Sequence, residues 1–187
     1  MFPPMPTPTG KAVAAGAAIR RLDPTRDSYA ALTALLHRAY AGQVAMGLRP
    51  LAGRQDEATT QRRCESGECF IALLPGAPGE RLVGTILFQE VEEAALPPHF
   101  LQPHVAHFSL FAVDPEYQGY GIGGALLAAV ESRARALGFT ELALSMAEPD
   151  TALMRFYERR GFRFVEHWRW PYTNYRSAIL TKVLPQA

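Results

Sequence analysis

The chain has 187 residues, of which 48% are hydrophobic and 20% are charged, and these proportions are ordinary for one soluble globular domain. Lysines and arginines number 19 against 18 acids, so the net charge of +1 indicates neither a nucleic-acid-binding surface nor an acidic tail. No apolar run approaches the roughly 18 to 20 residues of a membrane span. Cys64 and Cys69 have the spacing of neither a zinc site nor a disulfide framework. We therefore expect a cytoplasmic protein that binds no metal, nucleic acid or membrane.

The chain divides into a tail and one domain. Residues 1–16 are rich in Pro, Ala and Gly and predict a flexible N-terminal tail rather than a secretory signal. Residues 17–187 contain alternating strand and helix patterns. In chain order they predict strand 17–24, helix 26–40, loop 41–53, helix 54–67, strands 68–74 and 81–91, loop 92–103, strand 104–113, helix 121–138, strand 141–147, helix 151–160 and strands 163–171 and 177–184. This order predicts an α/β fold, a mixed sheet with helices on its faces.

A glycine-rich turn lies between the strand that ends at Val113 and the helix that follows. Its letters, Gly119 to Gly124, satisfy the G-x-G-x-x-G pattern of dinucleotide-binding proteins. A dinucleotide turn follows its strand at once, opens the domain and needs an acid at the end of the next strand, whereas Glu141 begins that strand. No Gly-Lys-Ser/Thr follows either, which excludes a Walker loop. The remaining interpretation is a turn whose free N–H groups, at the start of a helix, hold a pyrophosphate.

The segment LFAVDPEYQGYGIGGALL resembles the central motif of the GCN5-related N-acetyltransferases, the GNAT family, in which Gln118, Gly121 and Gly123 fill the signature positions. The resemblance covers about residues 17 to 184 and implies a mixed, mostly antiparallel sheet of about seven strands flanked by about four helices. It also implies that the turn binds the pyrophosphate of acetyl-CoA through Gln118, Gly119, Tyr120, Gly121, Ile122, Gly123 and Gly124. The preceding strand, at Phe111, Ala112 and Val113, is then expected to bind the pantetheine arm.

The segment DTALMRFYERRGFRFV resembles the next motif of that family, with Tyr157, Gly161 and Phe162 in register. Asp150 stands where the family often has Asn, and the resemblance places it at the coenzyme. A phenol with an ordinary pKa near 10 can protonate a departing thiolate, so Tyr157 is the candidate general acid. The same spacing also suits a Tyr157 that only packs against the core.

The reaction also needs a base, because an ammonium cannot attack a thioester before it loses a proton. His107, on the predicted strand 104–113, is the first candidate, and Ser109 on the same face could hold a water. Glu90, near the end of the third strand, is the second candidate, and a solvent relay is the third. The resemblance places the N–H that stabilises the developing oxyanion at Phe111, on the strand 104–113, where that strand separates from the fifth.

The resemblance implies that the acceptor enters opposite the coenzyme, between the connection 41–53 and the segment 167–178. These segments carry apolar and aromatic residues: Met46, Leu48, Trp168, Trp170, Tyr172 and Tyr175. They favour a small amine with an apolar body over a polyamine, because Glu166 is almost the only acid there. The same aromatics would also suit a packed hairpin or the face of a homodimer.

The resulting function is an N-acetyltransferase that moves the acetyl group of acetyl-CoA to a primary amine of a small molecule or protein by direct attack in a ternary complex. The alternative is an acyl-CoA-binding sensor that keeps the turn and performs no chemistry.

Overall fold

A computed structural model describes residues 16–76 and 79–185. The predicted tail therefore lies outside the described residues except for Gly16. The strands are β1 (Ala18–Arg21), β2 (Glu68–Gly76), β3 (Gly79–Phe88), β4 (Val105–Val113), β5 (Glu141–Ala147), β6 (Arg163–Trp168) and β7 (Ser177–Val183). The α-helices are α1 (Tyr29–Ala45), α2 (Glu57–Ser66), α3 (Ile122–Ala136) and α4 (Thr151–Glu158), and 3-10 turns occupy Leu51–Gly53, Pro98–Leu101 and Pro115–Tyr117.

The strands form one sheet in the order β1-β2-β3-β4-β5-β7-β6. Every neighbouring pair is antiparallel except β4 and β5, which are parallel. Over the described part of the chain, the predicted α/β fold, a mixed and mostly antiparallel seven-stranded sheet with four α-helices, is confirmed.

Side-chain alternation in the strands divides the core into layers on the two faces of the sheet. In β2, for example, Ile71 packs with α1 and α2, whereas Ala72 packs with α3. The α1 stripe contributes Leu32, Leu35 and Leu36, and each is fully buried. The sheet is therefore covered on both faces, as the buried runs of its central strands require.

Short polar side chains start three of the helices. Ser28, Asp56 and Asp150 each accept a hydrogen bond from a backbone N–H in the first turn of α1, α2 and α4. Such a cap satisfies one of the free N–H groups at a helix start. The start of α3 differs, because Gly121 occupies the cap position without a side-chain hydrogen bond.

Several predicted boundaries were wrong by a few residues. Helix α1 continues to Ala45, so the predicted loop 41–53 begins with the last turn of that helix and contains a 3-10 turn. Strand β3 ends at Phe88, so Glu90 lies just beyond the strand rather than within it. The described helices include none that is both long and apolar enough to cross a membrane.

Candidate active site

The first feature of the site is the glycine turn that leads into α3. Gly119 and Gly121 have φ of 82° and 85°, values in the left-handed region that favours glycine. The N–H of Ala125 donates to the carbonyl of Gly121, which makes Ala125 the first residue of α3 with a helical hydrogen bond. The N–H groups of Ile122, Gly123 and Gly124 precede that bond and point out of the helix end, where the helix dipole favours an anion.

The second feature is a separation of β4 from β5. The parallel pairing runs only from Val105 to Phe108, although β4 continues to Val113. On its other side β4 carries a bulge, because Leu110 has a positive φ of 45° and the register with β3 shifts there. The predicted separation of the two strands is confirmed, and it leaves main-chain groups of β4 facing an opening in the sheet.

A cavity of about 1000 Å³ fills this opening. At one end it is lined by the glycine turn, through Gln118, Gly119, Gly121, Gly123 and Gly124. Phe111, Ala112 and Val113 line it along β4, and Asp150 and Tyr157 line it from α4. The side chains of Tyr120 and Ile122 instead pack against the core, with Ile122 fully buried. The cavity thus unites most of the residues that the sequence placed at a coenzyme.

Tyr157 lies deep in this cavity. It is only 4% exposed, and its ring lies 5.3 to 6.3 Å, centroid to centroid, from the rings of Phe108, Phe111, Phe156 and Phe162. Burial raises the pKa of its phenol well above the ordinary value. Tyr157 therefore stays protonated at neutral pH. Tyr157 thus belongs to the core and also lines the cavity.

His107 lines the same cavity and is also buried. Its Nε2 lies 3.1 Å from the carbonyl oxygen of Glu90, and its ring stacks on Phe100 at 4.7 Å. Because a carbonyl only accepts, Nε2 must carry the proton, and the lone pair of the neutral ring is on Nδ1. Nδ1 has no hydrogen-bond partner among the described residues. Burial lowers the pKa of the imidazole, which keeps this lone pair free.

Glu90 is held by other side chains. Arg63 donates from Nε to Oε1 at 2.5 Å and from Nη2 to Oε2 at 2.9 Å, and the Ser109 hydroxyl also donates to this carboxylate. Burial alone would raise the pKa of Glu90, but the hydrogen bonds and charge of Arg63 outweigh burial and bring the pKa below its ordinary value. A carboxylate held in this way is a weak proton acceptor. Ser109 lies on the face of His107, as predicted.

Sequence reasoning missed three residues of this region, Arg63, Glu92 and Tyr40. Arg63 and Glu92 line the cavity beside Glu90, and the Tyr40 hydroxyl donates to the carbonyl oxygen of Phe111 at 3.3 Å. Arg63 lies on the polar helix α2, which offered no motif, and Glu92 lies in a loop. Only their contacts across the fold identify them.

Two coenzyme candidates also make contacts within the protein. The carboxylate of Asp150 caps α4 through the N–H of Leu153 and accepts from Nε2 of Gln43, both at 3.0 Å. The Gln118 amide donates to the carbonyl of Val113 at 3.2 Å and so braces the turn against the end of β4. Each of these side chains lines the cavity while it holds the local backbone.

The acceptor end of the cavity differs from the sequence prediction in its membership. Met46, Trp170, Tyr172 and Tyr175 line it, together with Phe100. Leu48 and Trp168 do not line it, and Trp168 packs edge-on against Trp170. The prediction that Glu166 is the acid of this region was wrong. Its carboxylate accepts from the N–H of His99 at 2.9 Å outside the cavity, and Glu90 and Glu92 are the acids at this end.

Both cysteines are free and buried, and Cys69 Sγ lies 3.5 Å from the Thr85 hydroxyl. Within the parts of the chain that the structure describes, no group of His, Cys, Asp and Glu side chains could hold a metal ion.

A cavity in a split sheet, with open amides at one end and a tyrosine and a histidine along it, is the arrangement of an acyltransferase. The comparisons agree with this class. The model of the acetyltransferase (GNAT) family matches residues 29–162. The chain therefore belongs to the GNAT family of acetyltransferases, and the family resemblance predicted from the sequence is confirmed. No curated protein matches the sequence.

Solved structures share the fold. The ribosomal-protein-S18-alanine N-acetyltransferase of Escherichia coli is 21% identical with a TM-score of 0.65, over 91% of this chain and 96% of that one. An acetyltransferase from Streptococcus agalactiae is 23% identical with a TM-score of 0.66, over 90% and 99% of the two chains. A GNAT acetyltransferase from Elizabethkingia anophelis with acetyl-CoA bound is 17% identical with a TM-score of 0.62, also over 90% and 99%. Sequence identities this low support a shared fold and nothing further.

Proposed function

We propose that the domain 17–187 transfers the acetyl group of acetyl-CoA to a primary amine while both substrates are bound. The observation that carries this proposal is that one cavity runs from the open amides of the glycine turn to Tyr157 and His107. An anionic coenzyme and a nucleophile can therefore meet in the middle of the cavity.

The coenzyme fits the end of the cavity at the glycine turn. Its diphosphate accepts hydrogen bonds from the amides at the start of α3, and its pantetheine arm lies along Phe111 to Val113 in the gap beside β4. Arg159 and Arg160 line the same cavity just after α4 and add positive charge for the phosphates. Support for acetyl-CoA also comes from the Elizabethkingia structure, which has this fold and holds that coenzyme.

The base is His107, whose Nδ1 is closed to solvent in this structure, so the ring must turn toward the cavity to accept a proton from the acceptor ammonium. This assignment follows from the free lone pair on that atom, whereas the Glu90 carboxylate is occupied by Arg63 and Ser109. The neutral amine then attacks the thioester carbon, so a C–N bond forms and the carbonyl oxygen becomes an oxyanion. The N–H of Phe111, in the gap between β4 and β5, is the proposed donor to that oxyanion.

The C–S bond then breaks and the sulfur leaves as a thiolate. The Tyr157 hydroxyl donates to the sulfur as the bond breaks, which yields free CoA and the N-acetylated amine. The nitrogen keeps one proton too many after the attack and loses it to solvent as the amide forms. Solvent also restores the proton to Tyr157 and removes the one on His107, so the overall reaction releases one proton and needs no other reagent.

Two measurements test this function. Isothermal titration with acetyl-CoA tests the coenzyme site, and thiol release in the presence of a panel of primary amines tests the transfer. We expect acetyl-CoA to bind and at least one amine to release CoA thiol. A protein that binds acetyl-CoA but releases no thiol with any amine would be the acyl-CoA sensor instead.

A further inference from the structure

The acceptor end of the cavity contains two carboxylates and one guanidinium. Arg63 gives both of its paired hydrogen bonds to Glu90, and the side chains are 13% and 4% exposed, so this pair is closed to solvent. The Tyr172 hydroxyl donates to Oε2 of Glu92 at 2.6 Å. A phenol brings no charge, and the Glu92 carboxyl is also within hydrogen-bond reach of Glu90, so the two carboxyl groups share the single positive charge of Arg63.

The position of Glu92 makes this charge available to a ligand. Glu92 lines the cavity and is half-buried, whereas its neighbour Glu93 is exposed and pairs with Arg62 at 3.2 Å. Burial raises the pKa of Glu92, and the adjacent Glu90 carboxylate adds to this effect. A cation bound at Glu92 would offset both the burial of its carboxylate and its repulsion from Glu90.

The surrounding walls suit an organic cation. Trp170 stacks on Tyr172 at 5.7 Å and 15°, and the Trp170 indole N–H donates to the Ser145 hydroxyl at 2.8 Å. Both rings are therefore held by hydrogen bonds at their polar atoms, and both line the cavity. Aromatic faces attract ammonium groups and apolar groups alike.

An independent observation places a polar partner in the same cavity wall. His107 is 9% exposed, and its buried Nδ1 has no hydrogen-bond partner among the described residues. A buried acceptor without a donor is costly, and this atom is closed to solvent, so the ring must turn toward the cavity before an N–H of a bound ligand can satisfy it. The cavity thus offers one negative charge, one neutral acceptor and an aromatic wall.

We propose that Glu92 is the acceptor-recognition residue, and that its carboxylate, positioned by Tyr172, binds the ammonium of a small primary amine whose apolar or aromatic body lies against Trp170 and Tyr172. This inference rests on the proposed acetyl transfer and names its substrate class. Neutral or anionic molecules of the same shape would bind poorly, because they leave the Glu92 charge unpaired.

The test uses the full chain saturated with free CoA, so that binding is measured without turnover. Isothermal titration compares 2-phenylethylamine with 2-phenylethanol, which replaces the ammonium by a neutral hydroxyl. We expect the amine to bind at least about tenfold more tightly than the alcohol, as a hydrogen bond to a charged group requires. Glu92→Gln should weaken amine binding about tenfold and leave the alcohol unchanged.

Glu93→Gln is the matched control, and it should leave binding of both probes unchanged. Should Glu92→Gln fail to fold, Tyr172→Phe removes only the positioning hydrogen bond, and it should weaken amine binding about threefold with no effect on the alcohol. The inference is overturned if wild-type protein binds the amine no better than the alcohol, or if a folded Glu92→Gln protein binds the amine as wild type does. Failure of the proposed function is separate, since it would appear as absence of CoA binding or of thiol release.

Discussion

Replacement of Tyr157 by phenylalanine tests the proposed acid without disturbing the core. The ring contacts with Phe108, Phe111, Phe156 and Phe162 do not depend on the hydroxyl, so the variant should fold normally. The glycine turn and the β4 backbone remain as they are, so acetyl-CoA should bind within about threefold of wild type. Only the proton donor to the leaving sulfur is lost.

The size of the effect follows from the burial of the hydroxyl. General acids contribute roughly 100- to 10,000-fold to a rate. Burial raises the pKa of Tyr157, which keeps the donor protonated but makes it a weaker acid. We therefore expect kcat to fall by about 100-fold, at the lower end of that range.

The assay is steady-state thiol release with a fixed amine, combined with calorimetry of acetyl-CoA. The matched control is Tyr29→Phe, which removes the hydroxyl of another buried tyrosine. Tyr29 does not line the cavity, and its hydroxyl donates to Glu65 at 3.2 Å. Tyr29→Phe should keep wild-type kcat. If Tyr157→Phe also keeps wild-type kcat, Tyr157 is a core residue only and the assignment of the acid is wrong.

Three further predictions concern the turn, the base and the buried ion pair. Gly121→Ala should cost about 1–2 kcal/mol of stability because the φ of Gly121 is 85°, and it should weaken acetyl-CoA binding about tenfold in calorimetry. Gly138→Ala is the control, because its φ is also 85°; it should cost the same stability and leave the affinity unchanged. Burial lowers the pKa of His107, so its base form is lost only below the ordinary histidine value of about 6.5. The fall of kcat/KM at acid pH should therefore lie below that value, and His107→Gln should remove it. A fall that begins above pH 7 would contradict the assignment. Arg63→Met leaves the buried Glu90 carboxylate without a cation, with only the Ser109 hydroxyl as a donor, and should destabilise the fold by about 3–5 kcal/mol in chemical denaturation. The exposed Arg62→Met should cost less than about 1 kcal/mol, and equal losses would refute the distinction.

Local patterns were enough to predict the order of the elements and most of the residues that line the cavity at the glycine turn. The glycines of the turn, Tyr157 and the β4 strand lie within continuous motifs, whose backbone demands are visible in the sequence. The error at α1 has a physical reason as well. Residues 41–45 are mostly exposed and extend the helix past the apolar stripe on which the prediction relied, because they carry a single glycine and no residue pair that would end the helix.

The acceptor end could not be predicted in the same way, because its residues come from distant parts of the chain. Arg63 meets Glu90 across 27 positions and Glu92 meets Tyr172 across 80, and neither pair has a local signature. Glu166 was a reasonable expectation from its neighbours in the sequence, but strand alternation in β6 and the contact with His99 place it outside the cavity. Contacts between residues far apart in the sequence determine which side chains meet at this end of the cavity, and short-range periodicity contains no information about such contacts.

A crystal structure with acetyl-CoA would examine the main premise of this account. The diphosphate oxygens should lie about 2.7–3.2 Å from main-chain nitrogens in the segment 119–124, with the acetyl group in the gap beside Phe111. A diphosphate bound elsewhere, with those nitrogens contacting only solvent or the protein itself, would contradict it.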